Sequence, residues 1–162
     1  MPPPDNITIR LGAPSDHQPI ISVMPDWWDG RDLTASLPKV FFIHFYDTIF
    51  IAEHAGQLAG FLVGFLSQAD QDVGYIHFVG VHPDFRKSGL GRRLYQKFFQ
   101  ACQAKGRTIV KSCTSPVNKL SIGFHQNMGF TIEPGDSYID GIPITMDYLG
   151  RNNPLVLFKK VL

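Results

Sequence analysis

The sequence has little charge, little cysteine and no long apolar run. Of its 162 residues 18% are charged, and the formal net charge is +1. This balance argues against a dedicated nucleic-acid or anionic-membrane binder, because such proteins carry a basic excess. The two cysteines form neither a CxxC pair nor a Cys/His cluster at zinc spacing. We therefore expect no disulfide framework and no metal site.

No targeting or membrane segment is visible either. The N-terminal segment lacks the basic start and apolar core of a signal peptide. The longest apolar stretch, around residues 59–66, is far too short to span a bilayer. We expect a soluble protein of a reducing compartment, and hence a cytoplasmic one without a membrane partner.

One domain is expected over residues 1–162, because no repeat, low-complexity segment or linker divides the chain. Period-2 alternation and turn signals predict strands at residues 7–11, 49–54, 58–67, 72–81, 108–114, 130–133 and 155–161. Apolar spacing predicts helices at 15–24, within 33–46, from Leu90 to a stop at Gly106, and at 118–128. Residues 25–30 and the loop before residue 155 are expected to be irregular. This order predicts a mixed α/β fold around one sheet, with the second to fourth strands as an antiparallel meander.

A basic, glycine-containing turn joins the meander to the long helix. Helix N-termini present unpaired N–H groups and a positive dipole end, which bind phosphates. Gly89 and Gly91 let the backbone approach an anion closely. Arg86, Lys87 and Arg92 add positive charge there. The spacing fits neither a P-loop nor a Rossmann fingerprint, and an ordinary solvated helix start is the alternative.

A second polar segment follows one strand later. On a helix, Asn118, Ser121 and His125 stand at i, i+3 and i+7 and so form one polar stripe. The opposite, apolar face is expected to hold Leu120, Phe124 and Met128. Such a stripe facing a phosphate-binding helix across a strand predicts a ligand cleft.

Together these two segments resemble the GNAT superfamily of acyl-CoA-dependent N-acetyltransferases. The turn reads R-x-x-G-x-G after a strand ending V-H-P, and the later helix reads N-x-x-S-x-x-x-H-x-x-x-G-F. The resemblance covers about residues 49–130, roughly half of the chain. It implies a twisted, mostly antiparallel sheet of about six or seven strands with flanking helices. The fourth and fifth strands would splay apart to admit the pantetheine arm of acetyl-CoA.

The resemblance also implies an activity and a site. The expected reaction is transfer of an acetyl group from acetyl-CoA to a primary amine of a small acceptor, by direct attack in a ternary complex and without a metal. A homodimer is compatible with the resemblance. The residues implied to contact acetyl-CoA are Phe78, Val79, Val81, Arg86, Lys87, Ser88, Gly89, Leu90, Gly91, Arg92, Asn118, Ser121 and Phe124.

Two histidines stand where many family members carry other catalytic groups. His125 occupies the position of a tyrosine that acts as general acid, and an imidazole can also donate a proton. His77 occupies the position of a glutamate that acts as base, and a neutral imidazole can accept a proton through water. The alternatives are a histidine that only hydrogen-bonds the cofactor or solvent, and a satisfied strand histidine. Tyr75 is a weaker candidate for lining the acceptor site, and Gly80 is compatible with a β-bulge.

Three functions therefore remain open from the sequence. The leading one is an N-acetyltransferase. The second is a non-catalytic acyl-CoA-binding or regulatory module, and the third is O-acyl transfer or transfer of a longer acyl group. Trp27 and Trp28 could stack on a substrate or pack in the core, whereas Cys102 and Cys113 are expected to be buried rather than nucleophilic.

Overall fold

The computed structural model describes residues 6–162, so residues 1–5 of the expected domain lie outside the described part. The strands are β1 (Ile7–Leu11), β2 (Ile49–His54), β3 (Gln57–Leu66), β4 (Val73–Val81), β5 (Ile109–Thr114), β6 (Thr131–Ile132), β7 (Ser137–Ile139), β8 (Ile142–Ile144) and β9 (Val156–Val161). The helices are α1 (His17–Trp27), α2 (Val40–His44), α3 (Leu90–Ala104) and α4 (Lys119–Asn127). Short 3-10 turns precede α1, β2 and α3 and lie between α1 and α2.

One mixed, seven-stranded sheet organises the chain, in the order β1-β2-β3-β4-β5-β9-β6. The predicted antiparallel meander of β2, β3 and β4 is confirmed, and β1 pairs antiparallel with β2 at its edge. Among the strands that the structure describes, β4 and β5 alone pair in parallel. The predicted fold class is therefore confirmed. No helix within residues 6–162 is long and apolar enough to cross a bilayer.

Helix α3 packs on one face of the sheet through the predicted apolar stripe. Leu90, Leu94, Phe98 and Cys102 have no exposed surface. The helix lies so close that a Cβ added to Gly64 would come within 2.3 Å of the Phe98 ring. Such overpacking is destabilising, so the small residue of β3 sets how near the helix can lie.

Helices α1 and α2 cover the opposite face. Their side chains form a second apolar cluster with β2 and β3; its fully or almost fully buried members include Ile20, Met24, Trp27, Leu37, Phe42, Ile51 and Phe61. The sheet is thus buried on both faces, and a group lying between β4 and β5 can be reached from either layer of helices.

Several predicted boundaries are wrong. Helix α1 continues through Pro25 to Trp27, although this proline cannot donate the hydrogen bond to the carbonyl of residue i−4. Leu120, expected on the apolar face of α4, is 89% exposed, and Ile122 is buried instead. The loop after β6 contains the β7–β8 hairpin, whose turn places Asp140 and Gly141 at positive φ.

The pairing between β4 and β5 ends early. It runs only from Val73–Ile109 to Tyr75–Lys111, although β4 continues to Val81 and β5 continues to Thr114 beside β9. The Ser112 hydroxyl donates to the Ile76 carbonyl at 3.3 Å, just beyond the last pair. The predicted splay of the fourth and fifth strands is therefore confirmed, and it opens a gap in the sheet.

Candidate functional site

A β-bulge lies where β4 leaves β5. Val63 pairs with Phe78 and Gly64 pairs with Ile76, so His77 has no counterpart on β3. The side chains of His77 and Phe78 both lie on the α1–α2 face, against Phe41 and Trp28 respectively. A bulge bends its strand and increases the local twist, which favours divergence from β5.

The structure thus places this bulge at His77 and not at Gly80. Gly80 has a packing role instead, because a Cβ there would lie 2.5 Å from the Phe61 ring and 2.8 Å from the Trp28 ring. Glycine in a strand often marks such a close approach. The register therefore gives no support to the bulge expected at Gly80.

A cleft of about 590 Å³ occupies the gap between β4 and β5. Six predicted site residues line it together: His77, Phe78, Val79, Asn118, Ser121 and His125. The cleft is large enough for a small-molecule ligand. Trp28 and Arg31 also line it, from the segment between α1 and α2, and so do Ser112 and Cys113 on β5.

The N-terminus of α3 offers unpaired amides beside the cleft. Within residues 6–162, the N–H groups of Gly89, Leu90, Gly91 and Arg92 have no protein acceptor, and the first helical bond runs from Arg93 N to the Gly89 carbonyl at 3.1 Å. Gly89 has φ +85°, and a Cβ there would meet no atom within 4 Å. The four amides thus have no competing protein acceptor, and the arrangement fits an anion.

The side chains of this turn have more varied positions than the sequence predicts. Arg86 donates to the carbonyls of Val81 and Trp27, so its guanidinium ties the turn to the end of α1. Ser88 is buried, and its hydroxyl donates to the Phe85 carbonyl at 2.6 Å. Leu90 lies in the core. Contacts of Ser88 and Leu90 with an anion would therefore involve their backbone.

The turn and the cleft adjoin through one aromatic ring. The Phe124 ring would lie 3.7 Å from a Cβ added to Gly91, and it packs edge-on against Tyr95. Tyr95 follows Gly91 by one helical turn and lines the cleft. Val81 and Phe124 thus lie between the turn and the cleft, and neither lines the cleft itself.

His77 is held by a hydrogen bond and a stacked ring. Its Nε2 lies 2.6 Å from the Ser36 carbonyl oxygen, and its ring stacks on Phe41 at 4.4 Å with an interplanar angle of 8°. A carbonyl only accepts, so Nε2 carries the proton and Nδ1 holds the lone pair. Burial lowers the pKa of His77. The side chain is therefore a neutral imidazole with one basic nitrogen.

His125 is buried more deeply, at 3% exposure, and both of its nitrogens have partners. Its Nδ1 lies 2.8 Å from the Ser121 carbonyl oxygen, so that N–H donates to the helix backbone. Its Nε2 lies 3.0 Å from the Tyr95 hydroxyl and accepts from it. Burial lowers the pKa of His125, which favours this neutral form.

Tyr95 is thus a site residue that the sequence analysis does not identify. The sequence pattern places it beside the apolar face of α3, and an aromatic residue there is typical of a core position. Only its pairing with a histidine 30 positions away reveals the polar role. Burial raises the pKa of Tyr95, so the hydroxyl keeps its proton.

Other candidate groups take structural roles. Burial raises the pKa of Cys113, whose Sγ lies 3.3 Å from the Tyr75 hydroxyl, so the thiol is not an activated nucleophile. Trp27 is buried against Phe61, whereas Trp28 lines the cleft. In residues 6–162, no group of three or more His, Cys, Asp or Glu side chains could hold a metal ion.

Comparison with known sequences identifies a family. The model of the acetyltransferase (GNAT) family matches residues 20–130, more than half of the chain. An uncharacterised N-acetyltransferase of Methanocaldococcus jannaschii is 33% identical over 88 residues, which are 52% of this chain and 39% of that protein. L-2,4-diaminobutyric acid acetyltransferase of Nocardia farcinica is 27% identical over 126 residues, 74% of this chain and 65% of that enzyme. The chain therefore matches less than two thirds of the length of either relative.

Solved structures share the fold. Ard1 from Thermoplasma volcanium superposes with a TM-score of 0.77 at 20% identity, covering 96% of this chain and 97% of that one. Diaminobutyrate acetyltransferase EctA from Paenibacillus lautus, in complex with L-2,4-diaminobutyric acid and coenzyme A, has a TM-score of 0.66 at 21% identity. That likeness covers 94% of each chain.

The hydrogen bonds predict opposite tautomers for the two cleft histidines. We expect imidazole NMR to show the Nε2–H form for His77 and the Nδ1–H form for His125, both titrating below the usual ~6.5. As pH falls, these histidines then take up protons in the unfolded chain before they do so in the folded one. The free energy of unfolding therefore decreases as pH falls from ~6.5 towards the folded pKa values. Signals assigned with His77→Gln and His125→Phe variants would test this, and matching tautomers or titration at or above 6.5 would contradict it.

Proposed function

Because this chain belongs to the GNAT acetyltransferase family, we propose that it transfers the acetyl group of acetyl-CoA to a primary amine. One observation carries the proposal: the cleft between β4 and β5 opens beside the unpaired amides of α3. A thioester and its phosphates could then be held at once. Similarity to diaminobutyric acid acetyltransferases supports an amine as acceptor.

A screen of acceptors with acetyl-CoA, read by released thiol, tests this function. Turnover with primary amines and none with matched alcohols is the expected result. Tight acetyl-CoA binding without turnover for any amine would identify a non-catalytic module. Turnover with alcohols only, or only with longer acyl thioesters, would show a different transfer reaction.

The proposed contacts to acetyl-CoA follow from where unpaired groups lie. The amides of residues 89–92 would hold the pyrophosphate, and Lys87 and Arg92, both exposed, would add charge. Phe78 and Val79 would border the pantetheine arm along β4, opposite Asn118. The cosubstrate supplies an electrophilic carbonyl and a thiolate leaving group. The protein supplies position, which can account for much of the rate.

A charge at Gly89 tests the phosphate assignment. We expect Gly89→Glu to weaken acetyl-CoA binding at least ~10-fold, because a carboxylate there opposes the pyrophosphate at a positive dipole end. Gly89→Ala is the matched control, since it carries the same strain at φ +85° without the charge. Calorimetry would measure both affinities. Equal affinities for the folded Glu and Ala variants would remove the phosphates from this turn.

His77 is the proposed base. An amine must lose a proton on the way to the amide, and ammonium pKa values lie near ~10. The lone pair on Nδ1 of His77 is available in the neutral form, and burial keeps the pKa of His77 low. Proton transfer through one water would then connect the attacking amine to Nδ1.

The pH dependence of His77→Gln tests this role. Glutamine keeps an N–H for the Ser36 carbonyl but lacks a basic nitrogen, so we expect kcat/KM to fall ~10²-fold at neutral pH. The loss of kcat/KM should persist as pH falls to the lowered pKa of His77. It should shrink at pH values above the amine pKa of ~10, because the amine is then deprotonated without a base. His44→Gln, the same change at an exposed histidine of α2, is the control. A loss that is constant with pH would indicate a structural role.

His125 is the proposed source of the proton for the leaving thiolate, and it would act through Tyr95. In the neutral form no proton of this pair points into the cleft. Once His125 is protonated, Nε2–H can donate to the Tyr95 oxygen and the Tyr95 hydroxyl can turn towards the sulfur. The S–H bond forms with the Tyr95 proton while Tyr95 takes the Nε2 proton. The net change is loss of one proton from the imidazolium.

Non-additivity tests this relay. We expect Tyr95→Phe and His125→Phe each to lower kcat by ~10²-fold, and the double variant to lose no more than either alone. Both losses should be largest at acidic pH, because burial lowers the pKa of His125 and only its protonated form donates. His125→Tyr, which restores a hydroxyl donor, should recover part of the rate. Additive losses, or losses independent of pH in folded variants, would contradict the relay.

A further inference from the structure

A second cavity of about 520 Å³ lies beside the cleft, against α2. Its apolar lining comes from Phe41, Phe65, Val73, Tyr75, Tyr148 and Leu149, and we name it the aromatic pocket. Its polar lining comes from Ser67, Asp70, His77 and Lys111. The aromatic pocket has no role in holding acetyl-CoA, whose proposed contacts lie around α3, α4 and the cleft.

The inner wall of the aromatic pocket is formed by aromatic rings packed on one another. Phe65 stacks on Tyr75 with ring centroids 5.2 Å apart, and Phe41 lies 6.4 Å from Phe65. The Tyr75 hydroxyl donates to Cys113 Sγ, which fixes the ring against β5. These rings present faces and edges to the cavity without having to rearrange, so a flat apolar group could pack there at low entropic cost.

The outer wall belongs to the loop between β8 and β9. Tyr148 and Leu149 are 45% and 49% exposed although both line the pocket. Two carboxylates brace the loop: Asp147 within it accepts from Asn152 N at 2.6 Å, and Asp136, which precedes β7, accepts from Met146 N at 3.2 Å. Two large apolar side chains are thus held open to solvent at the mouth of a preformed cavity.

The aromatic pocket adjoins the cleft. His77 and Leu149 line both cavities, so the proposed base stands at their junction. An amine at His77 would therefore have its remaining substituents directed along the rings. A face used only for packing against another protein would not need such a connection.

The charges near the junction argue against a polycationic acceptor. Among the residues that the structure describes, no Asp or Glu lines the cleft. Asp70 is the one acid among the described residues that line the aromatic pocket, and the charge of Lys111 is compensated by Glu133 at 3.1 Å. A second or third ammonium group would find little compensation here.

We propose that the acceptor is an amine bearing an aromatic or bulky branched apolar group, which fills the aromatic pocket while the amine reaches His77. This inference rests on the proposed function and names the substrate class of the same site. Burial of the apolar group supplies binding energy away from the reacting atoms, and the enzyme can use that energy to position the amine.

Matched acceptors that differ by one ring test the inference. We expect kcat/KM for phenylalanine amide to exceed that for alanine amide by ~10-fold or more, the effect of burying a phenyl group. Spermidine should be a poor acceptor. Tyr148→Ala should reduce the phenylalanine-to-alanine ratio ~10-fold, and Tyr148→Phe should retain most of it because the ring remains. Tyr138→Ala, a change at a 70% exposed tyrosine outside both cavities, is the control and should leave the ratio unchanged.

The outcomes separate this inference from the proposed function. Equal kcat/KM values for the two amides would overturn the role of the aromatic pocket while leaving acetyl transfer intact. A phenylalanine-to-alanine ratio that Tyr148→Ala does not change would do the same. If no amine is acetylated, calorimetry of phenylalanine amide with the protein saturated with coenzyme A decides. Binding that Tyr148→Ala weakens would support the pocket although the function fails, and no binding would overturn it. A dimer that Tyr148→Ala dissociates would show that a second copy covers the pocket, which also overturns it.

Discussion

The separation of β4 from β5 beyond the Tyr75–Lys111 pair is the constraint on which the site depends. Parallel strands bury their backbone groups in pairing, so a gap between them must be stabilised by the flanking structure. On one side β5 keeps its full antiparallel pairing with β9, and on the other β4 keeps its pairing with β3 apart from the bulge at His77. The gap is therefore held by strong sheet pairing on both sides. The cleft is therefore framed by two paired strands.

Helix α3 links the two ends of this cleft. Its N-terminus presents unpaired amides, and one turn later Tyr95 reaches His125 on α4. The position of the helix is fixed by its fully buried stripe and by its close approach to Gly64. A shift of α3 would move the turn at its start and Tyr95 together. The same packing that stabilises the core thus sets the distance between the unpaired amides and the Tyr95 hydroxyl.

The sequence predicts the features that depend on local periodicity. The apolar spacing of α3 and the left-handed glycine stop at Gly106 appear in the structure. The alternation of β1 appears only in part, since Ile7 is buried but Leu11 is 53% exposed. Features that depend on contacts distant in sequence could not be predicted. The position of the bulge is set by the register between β3 and β4. Gly80 suggests a bulge at the wrong place, because glycine is needed there for the close approach of Phe61 and Trp28. Tyr95 has the pattern of a core aromatic, and only the tertiary fold supplies its polar partner.

The exposure of Leu120 shows the same limit at a single residue. The spacing of α4 is compatible with an apolar face through Leu120 and Phe124, but the buried members are Ile122 and His125. The helix is oriented with His125 facing inward, where the imidazole stacks on Phe158 with ring centroids 4.3 Å apart. Burial of an imidazole is unfavourable unless both nitrogens are paired, and here the helix carbonyl of Ser121 and the Tyr95 hydroxyl pair them. The orientation of α4 is therefore consistent with its polar contacts as well as its apolar ones.

The two cleft histidines show how similar burial can allow different chemistry. Burial lowers the pKa of both His77 and His125, so pKa direction alone does not assign one as base and the other as acid. Their hydrogen bonds do distinguish them. A carbonyl fixes the proton of His77 on Nε2 and leaves Nδ1 as a lone pair, whereas a carbonyl fixes the proton of His125 on Nδ1 and directs Nε2 to a hydroxyl. A free lone pair suits proton removal, and a nitrogen bonded to a hydroxyl suits delivery through that hydroxyl. The backbone carbonyls of Ser36 and Ser121, which no sequence motif marks, thus determine which nitrogen of each histidine carries the proton.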